Sequence, residues 1–380
     1  MNFSESVLKN EEKGVFLLRE LYQRYGYRQY KMSKFEEYDL YAANKAFLTS
    51  DNIITFTDTN GRLMALKPDV TLSIVRNTKD TPGYVHKVFY DENVYRVPKG
   101  AHAYKEILQT GLECIGEIDR YDLQEVLFLA AQSLACLTDR YMLNISHLGV
   151  VESLLQKAGL GQDQYSRALH LIGEKNMHEL KELLENAGVA EAAADAMMDV
   201  LSASGSLAEV EPVLRSRIAA IFPADEMQEC PKAVEELLDL VRHLDNNGAA
   251  GHIMVDFSVV NDMSYYNGIV FQGFIEGVPG GVLSGGQYDK LLRKMGRKAC
   301  AIGFAVYLDF LERFFEKETK TDIDVLLLYD EATDRDLLFR AVRQLADQGW
   351  KVSAQHTVPG KLRYGRLMEL DREGILREKV

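Results

Sequence analysis

Apolar positions recur near helical spacing over residues 4–27, where Val7, Leu8, Val15, Phe16, Leu17, Leu21 and Tyr22 mark the repeat and Gly26 ends it. The period then shortens to two. Ile53-Ile54-Thr55-Phe56 alternates, Asp58-Thr59-Asn60-Gly61 turns and Leu63-Met64-Ala65-Leu66 returns. That predicts a hairpin over 51–66, because Asn and Gly tolerate positive φ. Two more strands are predicted over 85–96 and 106–116, joined by residues 98–102, with a helix over 122–137 behind them. Over 150–245 Ala, Leu and Glu dominate at helical spacing, as in 166–186 and 233–244, which predicts a separate helical insert. Strand character resumes at 252–256, runs through 265–273 and reaches the glycine-rich 280–286; a helix is predicted from Ile302 to about Glu316. A charged linker, 316–321, precedes a small α/β unit over 321–380: strand 323–328, helix 334–348, strand 350–354, then a stop. Antiparallel-looking strands with helices fore and aft predict an α+β main body over 1–315.

Composition changes the picture mainly through charge. The 380 residues carry 44 Lys+Arg against 57 Asp+Glu, a net of −13. Nucleic-acid binding draws on phosphate neutralisation by basic surface, so this balance argues against it. No run approaches the roughly 18–20 apolar residues of a membrane helix. The polar, acidic start reads as neither signal nor transit peptide. Cys114, Cys136, Cys230 and Cys300 form no CxxC pair, and the eight histidines show no ligand spacing, so no metal, cofactor or disulfide framework is expected. These features predict a reduced, cytoplasmic protein.

Candidate chemistry starts on the 106–116 strand. Its period of two puts Gln109, Gly111 and Glu113 on one face and Leu108, Leu112 and Cys114 on the other. If Lys67-Pro68-Asp69-Val70-Thr71 is extended, Asp69 and Thr71 point the same way. Two carboxylates and a hydroxyl suit an ammonium group; the same alternation also fits solvated strand faces. Tyr265-Tyr266-Asn267-Gly268 offers phenols to a polar ligand, or an aromatic core and a turn. Ser284-Gly285-Gly286-Gln287-Tyr288-Asp289 reads as a glycine turn before a helix, without the Lys-Ser/Thr of a P-loop. Cys114 reads as a buried small hydrophobe.

The order of these segments resembles histidyl-tRNA synthetases. Leu66-Lys67-Pro68-Asp69-Val70-Thr71 followed by Arg76 is similar to that family's Leu-Arg-Pro-Glu/Asp-x-Thr segment and its Arg. Val94-Tyr95-Arg96 with Gln109-Thr110-Gly111-Leu112-Glu113 resembles class II motif 2 and its downstream strand. Tyr265-Tyr266-Asn267-Gly268 is similar to Tyr-Tyr-Thr-Gly, and Ser284–Asp289 to the Gly-Gly-Arg-Tyr-Asp turn. Ile302-Gly303-Phe304-Ala305 resembles the start of motif 3. The resemblance spans about residues 5–315. It implies a class II aminoacyl-tRNA synthetase-like core, an antiparallel sheet flanked by helices, with the helical insert and a truncated anticodon-domain-like C-terminal unit.

Departures from the family fall on its ATP side. Val97 stands where motif 2 has an acidic residue, and the loop lacks its second Arg. Motif 3 reads Tyr307-Leu308-Asp309-Phe310 in place of Gly-Leu-Glu-Arg, losing the Arg that clamps ATP; an aromatic ring cannot replace a guanidinium fork. The Arg of Arg-Gly-Leu-Asp-Tyr-Tyr is Asn261. Adenylation needs cations where charge shifts in the transition state. The resemblance carries histidine binding onto Asp69, Thr71, Arg96, Gln109, Glu113, Tyr265 and Tyr266. A retained pocket without adenylation machinery resembles the ATP phosphoribosyltransferase regulatory-subunit family. That likeness implies a non-catalytic partner of the short-form catalytic subunit, a hetero-octamer, self-association as a dimer, L-histidine as effector, and no nucleic acid or membrane. The alternatives are an active histidyl-tRNA synthetase, or a synthetase-like histidine-binding regulator of another partner. Residues 321–380 hold 10 Lys+Arg and 11 Asp+Glu, a balance unlike a tRNA-reading surface.

Overall fold

A computed structural model describes residues 8–48, 53–97, 103–222, 229–260, 265–314, 321–371 and 373–379. The expectations for the 98–102 loop, for Asn261 and for most of the 316–321 linker lie outside them. By internal contacts the chain divides into two compact units, Met1–Phe315 and Glu316–Val380.

The first unit is built on a nine-stranded sheet. Its spatial order is Arg28–Gln29, His86–Arg96, Lys105–Gly116, Cys300–Tyr307, Leu283–Gln287, Ile269–Ile275, Tyr141–His147, Ile253–Asp256 and Ser204–Gly205. The sheet is mixed rather than purely antiparallel: Arg28–Gln29 runs parallel to His86–Arg96, and Tyr141–His147 parallel to Ile253–Asp256. One face is apolar. Leu112, Cys114, Ile302, Phe271, Leu143 and Ile145 are completely buried there, in one core with Val126, Leu127, Ala130 and Leu134 of the helix Arg120–Leu137. The helix begins two residues before the sequence suggests, because Asp119 caps it by accepting the N–H groups of Tyr121 (2.8 Å) and Asp122 (3.1 Å). The helix Asn10–Arg24 packs beside it, with the Tyr22 hydroxyl 3.0 Å from Ser133 Oγ.

Several expected elements differ. The helix expected from Ile302 is the strand Cys300–Tyr307, followed by a short helix, Asp309–Phe314. A continuous apolar run buried on both faces cannot be told from a helix by periodicity alone. The glycine turn expected at Ser284–Asp289 is largely the strand Leu283–Gln287. Its glycines allow close approach: a Cβ on Gly285 would lie 2.4 Å from Phe304 Cβ, and one on Gly286 2.8 Å from the Ile269 carbonyl. The expected strand at Tyr265 begins instead at Ile269. Asn267 and Gly268 form the bend before it, with Gly268 at φ +67.

Residues 148–244 supply six helices whose buried faces share the main core. The stretch 166–186 is two helices, Gln162–Gly173 and Met177–Asn186. Between them Lys175 adopts φ 57 and places its ammonium 2.9 Å from the buried Asp256 carboxylate. A left-handed lysine costs roughly 1–2 kcal/mol. The hairpin segment folds into a separate three-stranded sheet, Phe35–Glu37, Leu63–Leu66 and Thr55–Thr57.

The second unit is larger than a strand–helix–strand. Its sheet order is Val352–Gln355, Ile323–Leu328, Tyr364–Leu370, Leu376–Lys379, so two strands follow the expected stop. The first three are parallel and the last antiparallel. Ala341 of the helix Arg335–Asp347 packs with Leu327 and Leu370. Among the described residues no helix is long and apolar enough to cross a membrane, and no three His, Cys, Asp or Glu gather as for a metal.

Candidate functional site

The sheet's second face carries the site. Directly paired antiparallel residues share a face, so Glu113 stands beside Gly303, itself beside Gly286, and Gly111 beside Ala305 and then Ser284. These small residues form a floor of almost bare backbone. A Cβ on Gly303 would lie 1.9 Å from Glu113 Oε2, so glycine is required for the carboxylate to rest there.

Asp69, Thr71, Arg96, Gln109, Glu113, Tyr265 and Tyr266 all line a single cavity of about 80 Å³. Asp69 and Thr71 reach it by a different route from the one the extended reading supposes. Val70 is already in the right-handed helical region and Thr71 begins the helix Thr71–Asn77. Asp69 Oδ1 accepts the Leu72 N–H at 2.8 Å, which ties the turn to the helix start. Arg76, one turn on, lies 3.6 Å from Glu37 and does not line the cavity. The strand faces are not solvated: Gln109 and Glu113 are each 2% exposed.

Glu113 is the deepest charge-bearing group. Thr71 Oγ1 donates to its Oε1 and the Tyr288 hydroxyl to its Oε2, both at 2.6 Å. Burial pushes its carboxyl up to about 8; those two donors oppose the shift, and the Asp69 carboxylate reinforces it. Burial also raises Asp69, against the pull of Arg96 and of backbone N–H groups. Arg96 is the one cation among the described lining residues. Its Nε donates to the Pro68 carbonyl at 2.6 Å, and its Nη2 lies 3.8 Å from Asp69.

Aromatic rings close the walls. Tyr265 meets Tyr266 edge-on at 4.5 Å between centroids, Tyr288 at 5.8 Å and Phe47 at 6.0 Å. Burial holds the Tyr90, Tyr265, Tyr266 and Tyr288 hydroxyls well above their ordinary range, so they act as neutral donors and acceptors. Sequence reasoning missed Tyr288, Tyr90 and Tyr307 as lining residues. Two of these were legible by alternation. Tyr90 falls between Val88 and Glu92 on the site face, and Tyr307 pairs with Gln109. Phe310, at the clamp position of motif 3, packs against the apolar core.

The arrangement suits a small zwitterion with a flat, polar side chain. The described lining offers two carboxyl groups to a cation, one guanidinium to an anion and phenols to a flat group.

Comparison with known proteins bears on what such a cavity belongs to. The family model described as Histidyl-tRNA synthetase matches residues 3–311. An ATP phosphoribosyltransferase regulatory subunit from Clostridium kluyveri is 29% identical over 353 residues, covering 90% of this chain and 88% of its own. The crystal structure of an ATP phosphoribosyltransferase regulatory subunit/histidyl-tRNA synthetase from Bacillus halodurans superposes with a TM-score of 0.73 at 25% identity, covering 91% of this chain and 88% of that one. A chain of the ATP phosphoribosyl transferase (HisG:HisZ) complex from Thermotoga maritima shares the fold, with a TM-score of 0.59 at 19% identity over 81% of this chain and 98% of its own. With a family model covering most of its length and the matching motifs gathered around one cavity, the chain belongs to the histidyl-tRNA synthetase family.

Proposed function

We propose that this chain is the regulatory subunit of an ATP phosphoribosyltransferase acting in the first step of histidine biosynthesis. It assembles in the cytoplasm with a short-form catalytic subunit as a hetero-octamer, dimerises through its synthetase-like core, and carries no adenylation or aminoacylation activity. Histidine binds in the cavity with its ammonium near Asp69, Thr71 and Glu113 and Gln109 beside it, while Tyr265 and Tyr266 line the ring end. The regulatory names of the relatives support this reading. The observation that carries it is the charge of the described lining residues: Asp69 and Glu113 against Arg96, with the half-buried Phe310 packed against the apolar core. That set can hold an amino acid, and among the described residues it offers a triphosphate a single guanidinium. Histidine then lowers the partner's activity by favouring one arrangement of the assembly, which requires different affinities in the two states; such coupling is typically ~1–3 kcal/mol.

The test mixes this chain with a short-form catalytic subunit, ATP and phosphoribosyl pyrophosphate. Mixing raises turnover, and added histidine lowers it again. Unchanged turnover, together with histidine-dependent pyrophosphate exchange by this chain alone, establishes the synthetase instead. Histidine binding with neither activity leaves a regulator of another partner.

A further inference from the structure

The site face of the strand Cys300–Tyr307 changes character along its length. Gly303, Ala305 and Tyr307 are registered against Glu113, Gly111 and Gln109. All six except Gly111 are on the wall of the cavity. At about 3.4 Å per residue, the step from Gly303 to Tyr307 spans ~14 Å. Over that distance the wall goes from no side chain, to a methyl, to a phenol. The Tyr90 hydroxyl covers Gly111, where a Cβ would lie 2.5 Å from it. Tyr90 and Tyr266 line the same cavity as Tyr307. Glu113 lies at the Gly303 end, almost fully buried.

The motif that this strand resembles has glycine at the position of Tyr307, and its ATP-clamping Arg falls three residues later, at Phe310. By that resemblance the Tyr307 end corresponds to the family's ATP side. We propose that Tyr307 is a specificity-determining residue that closes the cavity on that side, so that the site takes a free amino acid and rejects one extended through its carboxyl group. The proposal rests on reading the cavity as the histidine site. Glycine would leave a path along the strand past Gln109. The phenol occupies that path, and a ligand growing that way must push the partly buried ring aside. Loss of the clamp at Phe310 removes affinity for ATP, while Tyr307 removes the space.

Calorimetric titration of the full chain tests this with two probes: L-histidine, and histidyl sulfamoyl adenosine as a stable stand-in for histidine joined to AMP. The wild-type chain prefers histidine by roughly 100-fold. Tyr307→Gly narrows that preference at least tenfold. Equal binding of both probes by the wild-type chain overturns the proposal, as does an unchanged preference in a Tyr307→Gly chain that still binds histidine. The wild-type ratio is read without any substitution, and Tyr307→Ala gives the same comparison if glycine unfolds the strand end. No histidine binding by the wild-type chain overturns the pocket reading itself, which is a different failure.

Discussion

Leu112 and Glu113 are neighbours in the chain and opposites in the fold. Leu112 is completely buried against the helices on the apolar face, and its surroundings are carbon. Glu113 is almost as buried, on a face of glycines, phenols and a hydroxyl. Burial therefore does not distinguish them; what their neighbours can donate does. The apolar face holds the sheet together, while the other face holds a carboxyl group out of water between two hydroxyl donors.

That contrast can be broken most severely at Leu112. Leu112→Ala removes buried methyl groups and leaves a cavity, and should cost about 2–5 kcal/mol in denaturant unfolding while the folded fraction still binds histidine. Gly303→Ala should act on the site and on the sheet beneath it. Its methyl collides with Glu113 Oε2 and with the Leu112 backbone carbonyl, so calorimetry should show histidine binding lost or weakened by more than roughly tenfold, and denaturant unfolding a loss of about 1–3 kcal/mol. Glu113→Gln keeps the shape and removes the charge. It should weaken histidine binding by about 1.5–3 kcal/mol without lowering thermal stability; unchanged affinity would sink the pocket assignment.

Proton linkage sharpens the same comparison. Glu113 sits at about 8 in the folded chain without ligand, above its unfolded value near 4.3. The folded state therefore holds a proton that the unfolded chain releases. Glu113's contribution to stability is complete below that unfolded value and is lost as pH rises through about 8. Melting curves should fall over this window in the wild-type chain and less in Glu113→Gln. Histidine binding at neutral pH should expel a proton, visible as a buffer-dependent heat. The smallest effect belongs to Lys175→Met, where a half-exposed ammonium leaves Asp256: ~1 kcal/mol or less of stability, with histidine affinity unchanged.

The sequence was most readable where one face is polar and the other apolar. The 105–116 strand showed its alternation, and the seven residues that line the cavity follow from motifs of fixed order. It was least readable where both faces are small or buried. Cys300–Tyr307 alternates between a core face and a floor of Gly and Ala, so no polar period remains to announce a strand. Leu283–Gln287 carries two adjacent glycines for close approach, and glycines otherwise signal turns. Tyr288 escaped notice for a related reason. Its role depends on a hydroxyl meeting Glu113 across 175 positions of sequence, which local spacing cannot express. Asp69 and Thr71 came to the right place for an incomplete reason, since a helix start rather than an extended chain aims them.

The glycine floor also bears on how this pocket can change by descent. Gly111, Gly286 and Gly303 leave no room for a methyl group without moving a carbonyl, a phenol ring or hydroxyl, or the Glu113 carboxylate. Single substitutions there cannot retune the site by degrees; they fill it. Variation that reshapes the cavity falls instead on the side chains around the floor, the partly buried Tyr307 among them. A lineage could change what such a cavity accepts by altering those walls, while its floor stayed fixed.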